Sequence, residues 1–389
     1  MRQTQLQKWL VSSIALMSCW LLMEAQQTSE TSQPETQPRQ ITSQALRFAK
    51  QVEQLNPNDV HDLYKIFVVL RCQDVPLAQR KELALRILTG AYPNKPDFRW
   101  IDSGKQAGLI EAALVALSHM HIDDPSVLPT LEEYLPKWER IARWEQTDLA
   151  LREPLPDELK RLAERVSPNL TLLRAIIIRL KAVQAVPEVK SATDLERRLE
   201  VMLKEAKLSR SELKQGYEEF WEAIKQDKHI TAKSRFVFYL VGEYGRMLFH
   251  YAKRGMDVRA AYQDLDITGL QGYARLGTTA RDPAQLIDQL IQAQGDDRTT
   301  GQLLVDEGIR VVPLIIQRLE TIKDDRSQIS STGMGVVVLL EVLATLAGES
   351  ALPWIEPFTQ DERVWLCHYA RMAKEWVEQG KVYGFNSSL

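Results

Sequence analysis

The residues with the most obvious chemical potential are two histidines and two aspartates that lie close together in the chain. His119, His121, Asp123 and Asp124 carry the nitrogen and oxygen ligand types that bind zinc and related metals. On a helix, residues two apart point about 200° away from each other, so both imidazoles reach one metal only where the helix has already ended. The segment is more typical of a helix C-terminus, where histidines hydrogen-bond to the last carbonyls. We therefore predict neither a metal nor a cofactor.

Acid–base chemistry would depend on carboxylates in the middle of the chain. Glu218, Glu219, Glu222 and Glu243 are the candidates, and a catalytic one would lie in a closed concave pocket with a raised pKa. The chain contains no Gly-x-Ser-x-Gly elbow and no Gly-x-x-x-x-Gly-Lys phosphate loop. An all-α envelope enzyme with its site in residues 190–300 is the alternative function; the sequence favours a protein without catalytic activity.

Recognition of a partner is suggested by aromatic and basic residues in one predicted helix. Trp138, Arg140, Arg143 and Trp144 belong to the types that dominate binding energy at interfaces. Together with Ile141, the two tryptophans also follow an i, i+3, i+6 spacing, which is typical of a core stripe. The stripe is the favoured interpretation, and a partner-binding surface is the speculative one.

The first 25 residues have the pattern of a secretory signal. Arg2 and Lys8 precede an uncharged 15-residue stretch, Trp9–Met23. Because a spanning helix needs about 20 apolar residues, this length suits an export signal better than a permanent anchor. The Leu-Met-Ser-Cys run that ends at Cys19 resembles a bacterial lipoprotein box, so lipidation of Cys19 competes with plain cleavage. The expected location is extracytoplasmic: the periplasm, the cell envelope or the surrounding medium.

Composition excludes several classes of protein. Hydrophobic residues make up 44% of the 389 residues and charged residues 26%, which is typical of a folded soluble protein. With 49 basic and 52 acidic residues, the net charge of −3 gives no general attraction to nucleic acid. Contact with a membrane is expected only through a lipid anchor or an uncleaved signal. After the signal only Cys72 and Cys367 remain, and we expect two separate thiols.

Apolar spacing predicts an all-α chain. Residues at i, i+3, i+4 and i+7 form stripes in several segments: Leu63, Ile66, Phe67 and Leu70; Ile110, Ala113, Leu114 and Leu117; Val312, Ile315, Ile316 and Leu319. A helix over 336–347 should end at Gly348, and Ser167-Pro168 should begin another. The glycine-bearing segment 269–277 is expected to be either an irregular, flexible loop or a place of close helix packing.

The chain is too long for one compact core, because single cores stop growing beyond roughly 250–300 residues. The predicted organisation is a signal (1–25), a polar linker with prolines (26–40), and three helical regions. These are N-terminal repeats (41–189), a less regular central region (190–300) and C-terminal repeats (301–389).

An internal repeat supports this division. Residues 127–134 align with residues 351–358, and 311–319 are a looser copy. Each copy has an aliphatic-Pro pair at the start of an amphipathic helix, and Pro313 and Pro353 are 40 residues apart. That period falls in the range of proteins built from stacked helix pairs.

On these residues, the units 109–135 and 301–378 resemble HEAT repeats. The resemblance implies an α-solenoid whose stacked helix pairs present a protein-binding surface along one face, and it implies no chemistry. The family often has an arginine directly after the valine of the inter-repeat turn, where this chain has Trp365 after Val364. The sequence thus predicts an exported HEAT-like solenoid that acts as a protein-binding or scaffolding module.

Overall fold

The computed structural model describes residues 41–57, 59–90, 92, 105–143 and 157–382. Within these ranges, side chains are described except at 105–107, 137, 138, 140–143 and 157–168. The described residues form helices joined by turns, without a strand among them. The prediction of an all-α protein is therefore confirmed.

The helices of the first part of the chain are α1 (Gln44–Lys50), α2 (Val60–Arg71), α3 (Leu77–Thr89), α4 (Lys105–Met120), α5 (Leu128–Arg143), α6 (Asp157–Ala185), α7 (Ala192–Ala206), α8 (Arg210–Lys225) and α9 (Ala232–Lys253). They are followed by α10 (Thr268–Thr279), α11 (Pro283–Gln292), α12 (Arg298–Glu307), α13 (Val312–Asp324), α14 (Met334–Ala347), α15 (Leu352–Ile355) and α16 (Val364–Glu378).

The chain divides into two compact units. Among the described residues, the N-terminal unit runs from Phe48 to Leu286, and the C-terminal unit contains residues 41–47 and 287–382. Each unit has its own buried apolar residues.

Helix α9 is the centre of the N-terminal unit. It packs against α6, α8 and α10, while α4 packs against α3 and α6. Its buried apolar residues include Val237, Leu240, Val241 and Leu248, which join the predicted stripe of α7 in one core. A side of α9 that faces its neighbours also carries charged side chains, and these form the cluster described below.

Helix α14 is the core of the C-terminal unit. It packs against α12, α13 and α16, and its buried apolar residues run from Val336 to Ala347. The segment Met334–Phe358 is long and apolar enough to cross a membrane by length and composition alone, and 72% of its most apolar window is buried inside the protein. Such burial is typical of a core helix.

The three aliphatic-Pro pairs have the same local structure. Each lies at the start of a helix that directly follows a 3-10 turn: Leu128-Pro129, Val312-Pro313 and Leu352-Pro353. In the last two copies the first residue of the turn is a glycine with positive φ, 71° at Gly308 and 54° at Gly348. Because side chains other than glycine rarely adopt this conformation, the glycine marks the end of the preceding helix.

Two local predictions were wrong. Ser167-Pro168 does not begin a helix, because α6 runs through it from Asp157 to Ala185. The loop expected at 269–277 is wrong because the segment is part of helix α10, whereas the alternative of close helix packing agrees with Gly277, where a Cβ would clash with the backbone of α9 at Phe249. In both places the helix continues through residues that disfavour it locally, which indicates that packing outweighs local propensity.

Candidate functional site

A cluster of buried charges in the N-terminal unit joins α4, α6, α7 and α9. The Arg179 and Glu243 side chains are 0% exposed, and they form an ion pair with Nε to Oε2 at 2.7 Å. The second oxygen of Glu243 pairs with Arg246, three residues further along α9. Ser118 donates its hydroxyl hydrogen to Glu243 Oε2 at 2.7 Å. Buried charges are expensive unless paired in this way.

Arg179 also caps the end of helix α4. Its Nη1 donates to the carbonyls of His121 at 3.0 Å and Ile122 at 2.9 Å, and Nη2 donates to the carbonyl of Ser118 at 3.3 Å. These carbonyls lie at the helix C-terminus, where the last C=O groups lack partners within the helix and the dipole attracts a cation. One guanidinium therefore satisfies a helix end and a buried carboxylate together.

Asp123 is the centre of a second, half-buried cluster. Its carboxylate accepts hydrogen bonds from Tyr251 Oη at 2.6 Å, Arg198 Nη1 at 2.7 Å, His250 Nε2 at 3.0 Å and Arg254 Nη1 at 3.3 Å. Desolvation raises the pKa of this carboxyl, and the bonds from His250, Arg198 and Tyr251 outweigh it and hold the pKa well below its usual range. Asp123 is therefore a permanent anion whose oxygens are already engaged.

Arg198 performs for α6 the task that Arg179 performs for α4. Its side chain is fully buried, and it donates from Nε to the carbonyl of Val186 at 2.9 Å and from Nη2 to the carbonyl of Pro187 at 3.2 Å. These carbonyls follow the last residue of α6. The two buried arginines each tie a helix end to a carboxylate, which fixes the positions of α4 and α6 against α7 and α9.

His121 is buried beside this cluster. Its Nδ1 lies 2.9 Å from Asp124 Oδ2. Burial lowers the pKa of the imidazole, and the nearby cations Lys81 and Arg179 lower it further. The ring is therefore held neutral, with Nδ1–H donating to the carboxylate.

The predicted metal-ligand candidates do not converge. Helix α4 ends at Met120, Asp123 and Asp124 are bound to different partners, and no group of three potential ligands is brought together among the described residues. The chemistry of the cluster also fits a metal poorly, because arginines occupy the carboxylate oxygens. The cluster is built to hold helices together.

The carboxylates proposed for an enzyme in residues 190–300 are split between two environments. Glu218, Glu219 and Glu222 are exposed on α8, where a hydrogen bond from Lys225 lowers the pKa of Glu222. Glu243 is the buried partner of Arg179. The described structure does not bring the four together.

Glu111, which is outside that set, has the raised pKa that is expected of a catalytic carboxyl. Burial raises the pKa of Glu111 on α4, and the charge of Arg246 partly opposes the shift. Burial likewise raises the pKa of Tyr239 and of Tyr273, and Arg246 opposes both shifts. All three side chains keep some exposure, and each interacts electrostatically with Arg246.

Packing of α10 against α9 positions Tyr273 in this group. A Cβ on Gly245 would clash with the ring of Tyr273, so glycine is what lets that ring lie against α9. The Tyr273 hydroxyl lies 3.7 Å from the position that a Gly242 Cβ would occupy. Two tyrosine hydroxyls, Glu111 and Arg246 are thus grouped on the polar side of α9.

Residue spacing in the sequence does not reveal this group, although its charged members leave a signal. Glu111 is the only charged residue of α4 between Lys105 and His119. Arg179 similarly interrupts the apolar run of Ile176–Leu180. A charged residue inside an apolar helix indicates burial with a partner, but its spacing does not say which residue the partner is.

The predicted partner-binding residues are only partly described. Trp138, Arg140 and Arg143 belong to helix α5, and their side chains lie outside the described part of the structure, as does the whole of Trp144. The predicted signal and linker, residues 1–40 including Cys19, also lie outside it. The two other cysteines are both thiols, with Cys72 buried and Cys367 half-buried, as expected.

The described surface with the most exposed apolar side chains is on α16. Val364 is 77% exposed and Trp365 59%. The Trp365 and Tyr369 rings stack with centroids 6.3 Å apart, and His368 meets Tyr369 edge-on at 5.3 Å. Aromatic side chains on an open helix face are a common feature of binding surfaces.

Comparison with known proteins adds no further constraint. No family model, no curated protein and no solved structure matches the chain. The functional interpretation therefore depends on the chemistry of this chain alone.

Proposed function

We propose that this protein is an exported, HEAT-like helical scaffold that binds another protein through the outer face of α16. The observation that carries the proposal is the exposure of Trp365 beside the stacked ring of Tyr369. A partner that covers this side chain gains about 25 cal/mol of favourable free energy for each Å² of apolar surface removed from water.

The repeat architecture is part of the proposal. Supporting it, the copies at Pro313 and Pro353 have the same sequence of helix, positive-φ glycine, 3-10 turn and proline helix. The exposed aromatic side chain of Trp365 on α16 favours a bound partner.

The charged clusters support a binding protein over an enzyme. Around Asp123 and Glu243 the carboxylate oxygens are occupied by arginine, histidine, serine and tyrosine donors from the same unit. A catalytic carboxylate must be able to exchange protons with a substrate. These groups are better suited to holding the scaffold rigid.

The binding function is tested by placing a photo-crosslinking amino acid at position 365 of the full-length chain in its native cells. We expect a covalent adduct with a protein at position 365. The matched control is position 218, where exposed Glu218 lies on α8 of the other unit; we expect no adduct there. Equal yields at both positions, or none at either, would contradict the proposal.

Export is tested separately by mass spectrometry of the mature N-terminus. Loss of the first 25 residues supports export with plain cleavage, and a lipid on Cys19 supports an anchored form. An intact N-terminus in the soluble cytoplasmic fraction would contradict the extracytoplasmic location.

A second candidate function, an all-α enzyme, is favoured by Glu111. Burial raises the pKa of Glu111, and Glu111, Tyr239 and Tyr273 each lie within electrostatic reach of Arg246 in a helical core. A screen of small carboxylates and phosphates by melting temperature tests it. A compound that stabilises the wild type but not Glu111→Gln supports a small-molecule site, and a panel without such a compound counts against it.

A further inference from the structure

His121 is a buried titratable residue in the turn between α4 and α5, residues 121–127. Its side chain is 3% exposed. The Nδ1 atom lies 2.9 Å from Asp124 Oδ2, whereas Nε2 is buried and has no hydrogen-bond partner among the residues that the structure describes. A neutral ring with its hydrogen on Nδ1 therefore satisfies this place, and a hydrogen on Nε2 does not.

The bond between His121 and Asp124 joins the end of α4 to the start of α5. The Asp124 carboxylate also accepts from Ser126 N at 2.9 Å and from Ser126 Oγ at 2.8 Å, so it caps the 3-10 turn that leads into α5. The carbonyl of His121 accepts from Arg179 Nη1 on α6 at 3.0 Å. One residue thus connects three helices.

Burial and two cations oppose a second proton on the ring. Burial lowers the pKa of the His121 imidazole most, and the charges of Lys81 on α3 and Arg179 on α6 lower it further. Lys81 is held at the turn because its Nζ donates to Ser126 Oγ at 3.3 Å. The C-terminal end of a helix attracts a positive charge, but Arg179 already supplies one at the end of α4.

The carboxylates near the turn do not offset this effect. Asp124 opposes the shift, but its side chain is 56% exposed, so water screens its charge, and the neutral ring already donates to it. Asp123 in the turn and Glu243 on α9 are each paired with an arginine. A second proton therefore adds a third positive charge beside Lys81 and Arg179, with no acceptor for Nε2–H among the described residues.

We propose that His121 is an acid-sensitive switch in the N-terminal unit: a second proton on its ring opens the turn and loosens the junction of α4, α5 and α6. Opening exposes Nε2 to water, and Asp124 and Arg179 lose their bonds to this residue. The relevant range is about pH 5–7, where aspartates and glutamates of ordinary pKa stay ionised. The inference goes beyond the proposed function, because it concerns the other unit and requires no partner.

The direction of the pH effect follows from the imidazole pKa in the two states. Because the pKa of His121 is lower in the closed turn than the ordinary 6.5, the open turn binds more protons. Acidification below about pH 6.5 therefore favours opening, about tenfold for each pH unit until the pKa of the closed state is reached. Two other groups act in the opposite direction: His250 donates to Asp123, so its protonation strengthens that pair, and burial raises the pKa of Glu111.

Hydrogen exchange of the full chain at pH 7 and pH 5 tests the proposal, with each rate divided by the rate of the same amide in an unfolded chain at that pH. We expect the amides of the turn, including His121 N–H, which bonds to the carbonyl of Leu117, to exchange about tenfold faster at pH 5. The variant His121→Asn keeps an N–H donor in the place of Nδ1 and takes no second proton. We expect no acceleration in this variant, and an equal acceleration in wild type and variant would overturn the proposal.

His229→Asn is the matched control, because His229 is exposed in the turn between α8 and α9; we expect it to exchange like wild type. A second comparison uses the wild type alone and stays valid if His121→Asn does not fold. Amides of the turn should respond to pH, and amides of α13 in the C-terminal unit should not. Equal acceleration at both places, or none at the turn, would contradict the switch.

Discussion

The two units of the protein differ in their least typical side chains: one unit buries charged groups, and the other exposes aromatic ones. The N-terminal unit buries charge: Arg179, Arg198 and Glu243 are inside, and each is satisfied by partners within that unit. The C-terminal unit exposes aromatic surface at Trp365 and Tyr369. The N-terminal unit uses buried charges that are matched by partners to hold its helices together, and the exposed aromatic face of α16 is where we propose that a partner binds.

The C-terminal unit shows that buried charge is not specific to the N-terminal unit. Glu341 is buried in the apolar helix α14, and it pairs with Arg298 at the start of α12. Here too the charge is matched within the unit and joins two helices. The difference between the units therefore lies in the outer face of α16.

The largest expected effect is on the inner cluster. Arg179→Met removes the cap of α4 and leaves Glu243 with one cation fewer in the interior, so we expect a loss of about 3–5 kcal/mol in the free energy of unfolding. Chemical denaturation of the full chain measures it. The triple variant Arg179→Met/Glu243→Leu/Arg246→Met should be more stable than Arg179→Met alone, because the two cations and the carboxylate of the cluster are then removed together; an equally unstable triple variant would show that capping, and not charge pairing, is what Arg179 supplies.

A smaller loss is expected at the second cluster. Asp123→Asn should cost about 1–3 kcal/mol at pH 7, since several donors lose a charged acceptor. The pKa of Asp123 is lowered on folding, so its contribution is complete above the ordinary value of 3.8 and is lost as pH falls through the folded pKa. The difference in the free energy of unfolding between wild type and Asp123→Asn should therefore become smaller below about pH 4.

The control for Asp123 is an exposed carboxyl. The pKa of Asp266 is also lowered, by a hydrogen bond from Lys214, but its side chain is 79% exposed. Surface pairs contribute little, so Asp266→Asn should leave the unfolding curve unchanged. A loss equal to that of Asp123→Asn would contradict the role of burial.

Substitution of Glu111 is expected to increase the free energy of unfolding, by less than the losses at Arg179 and Asp123. Its folded pKa is raised above the ordinary 4.5 by burial, so its effect on stability is most favourable below that pH and worsens as pH rises. Glu111→Gln should be more stable than wild type at pH 7 and equal to it near pH 4. Denaturation at the two pH values checks the sign, and a variant less stable than wild type at pH 7 would indicate that the ionised carboxylate is needed.

Periodicity predicted the helices well, because burial on one face leaves a direct trace in the sequence. The stripes of α2, α4 and α13 are helical as expected, and Gly348 ends α14 with positive φ. The pairings of charges were not predictable. Arg179 and Glu243 are 64 residues apart, and nothing in either local pattern indicates the other.

The aromatic stripe of α16 (Trp365, Tyr369 and Trp376) could have been predicted from its spacing in the printed sequence. The sequence instead drew attention to Trp365 as a departure from the arginine of the HEAT pattern. Two interleaved stripes on one helix overlap, so periodicity alone does not show which one faces the core. Packing of Leu366 and Ala370 on α14 and α15 resolves that ambiguity.

Two neighbours on α16 provide the most direct test that buried positions hold this protein together while the exposed aromatic face is kept for recognition. Leu366 is 0% exposed and Trp365 is 59% exposed. In denaturant unfolding of the full chain, Leu366→Ala should lose about 2–5 kcal/mol, and Trp365→Ala should stay within about 0.5 kcal/mol of wild type. A loss at Trp365 as large as that at Leu366 would contradict the account, because the chain itself would then bury the aromatic face.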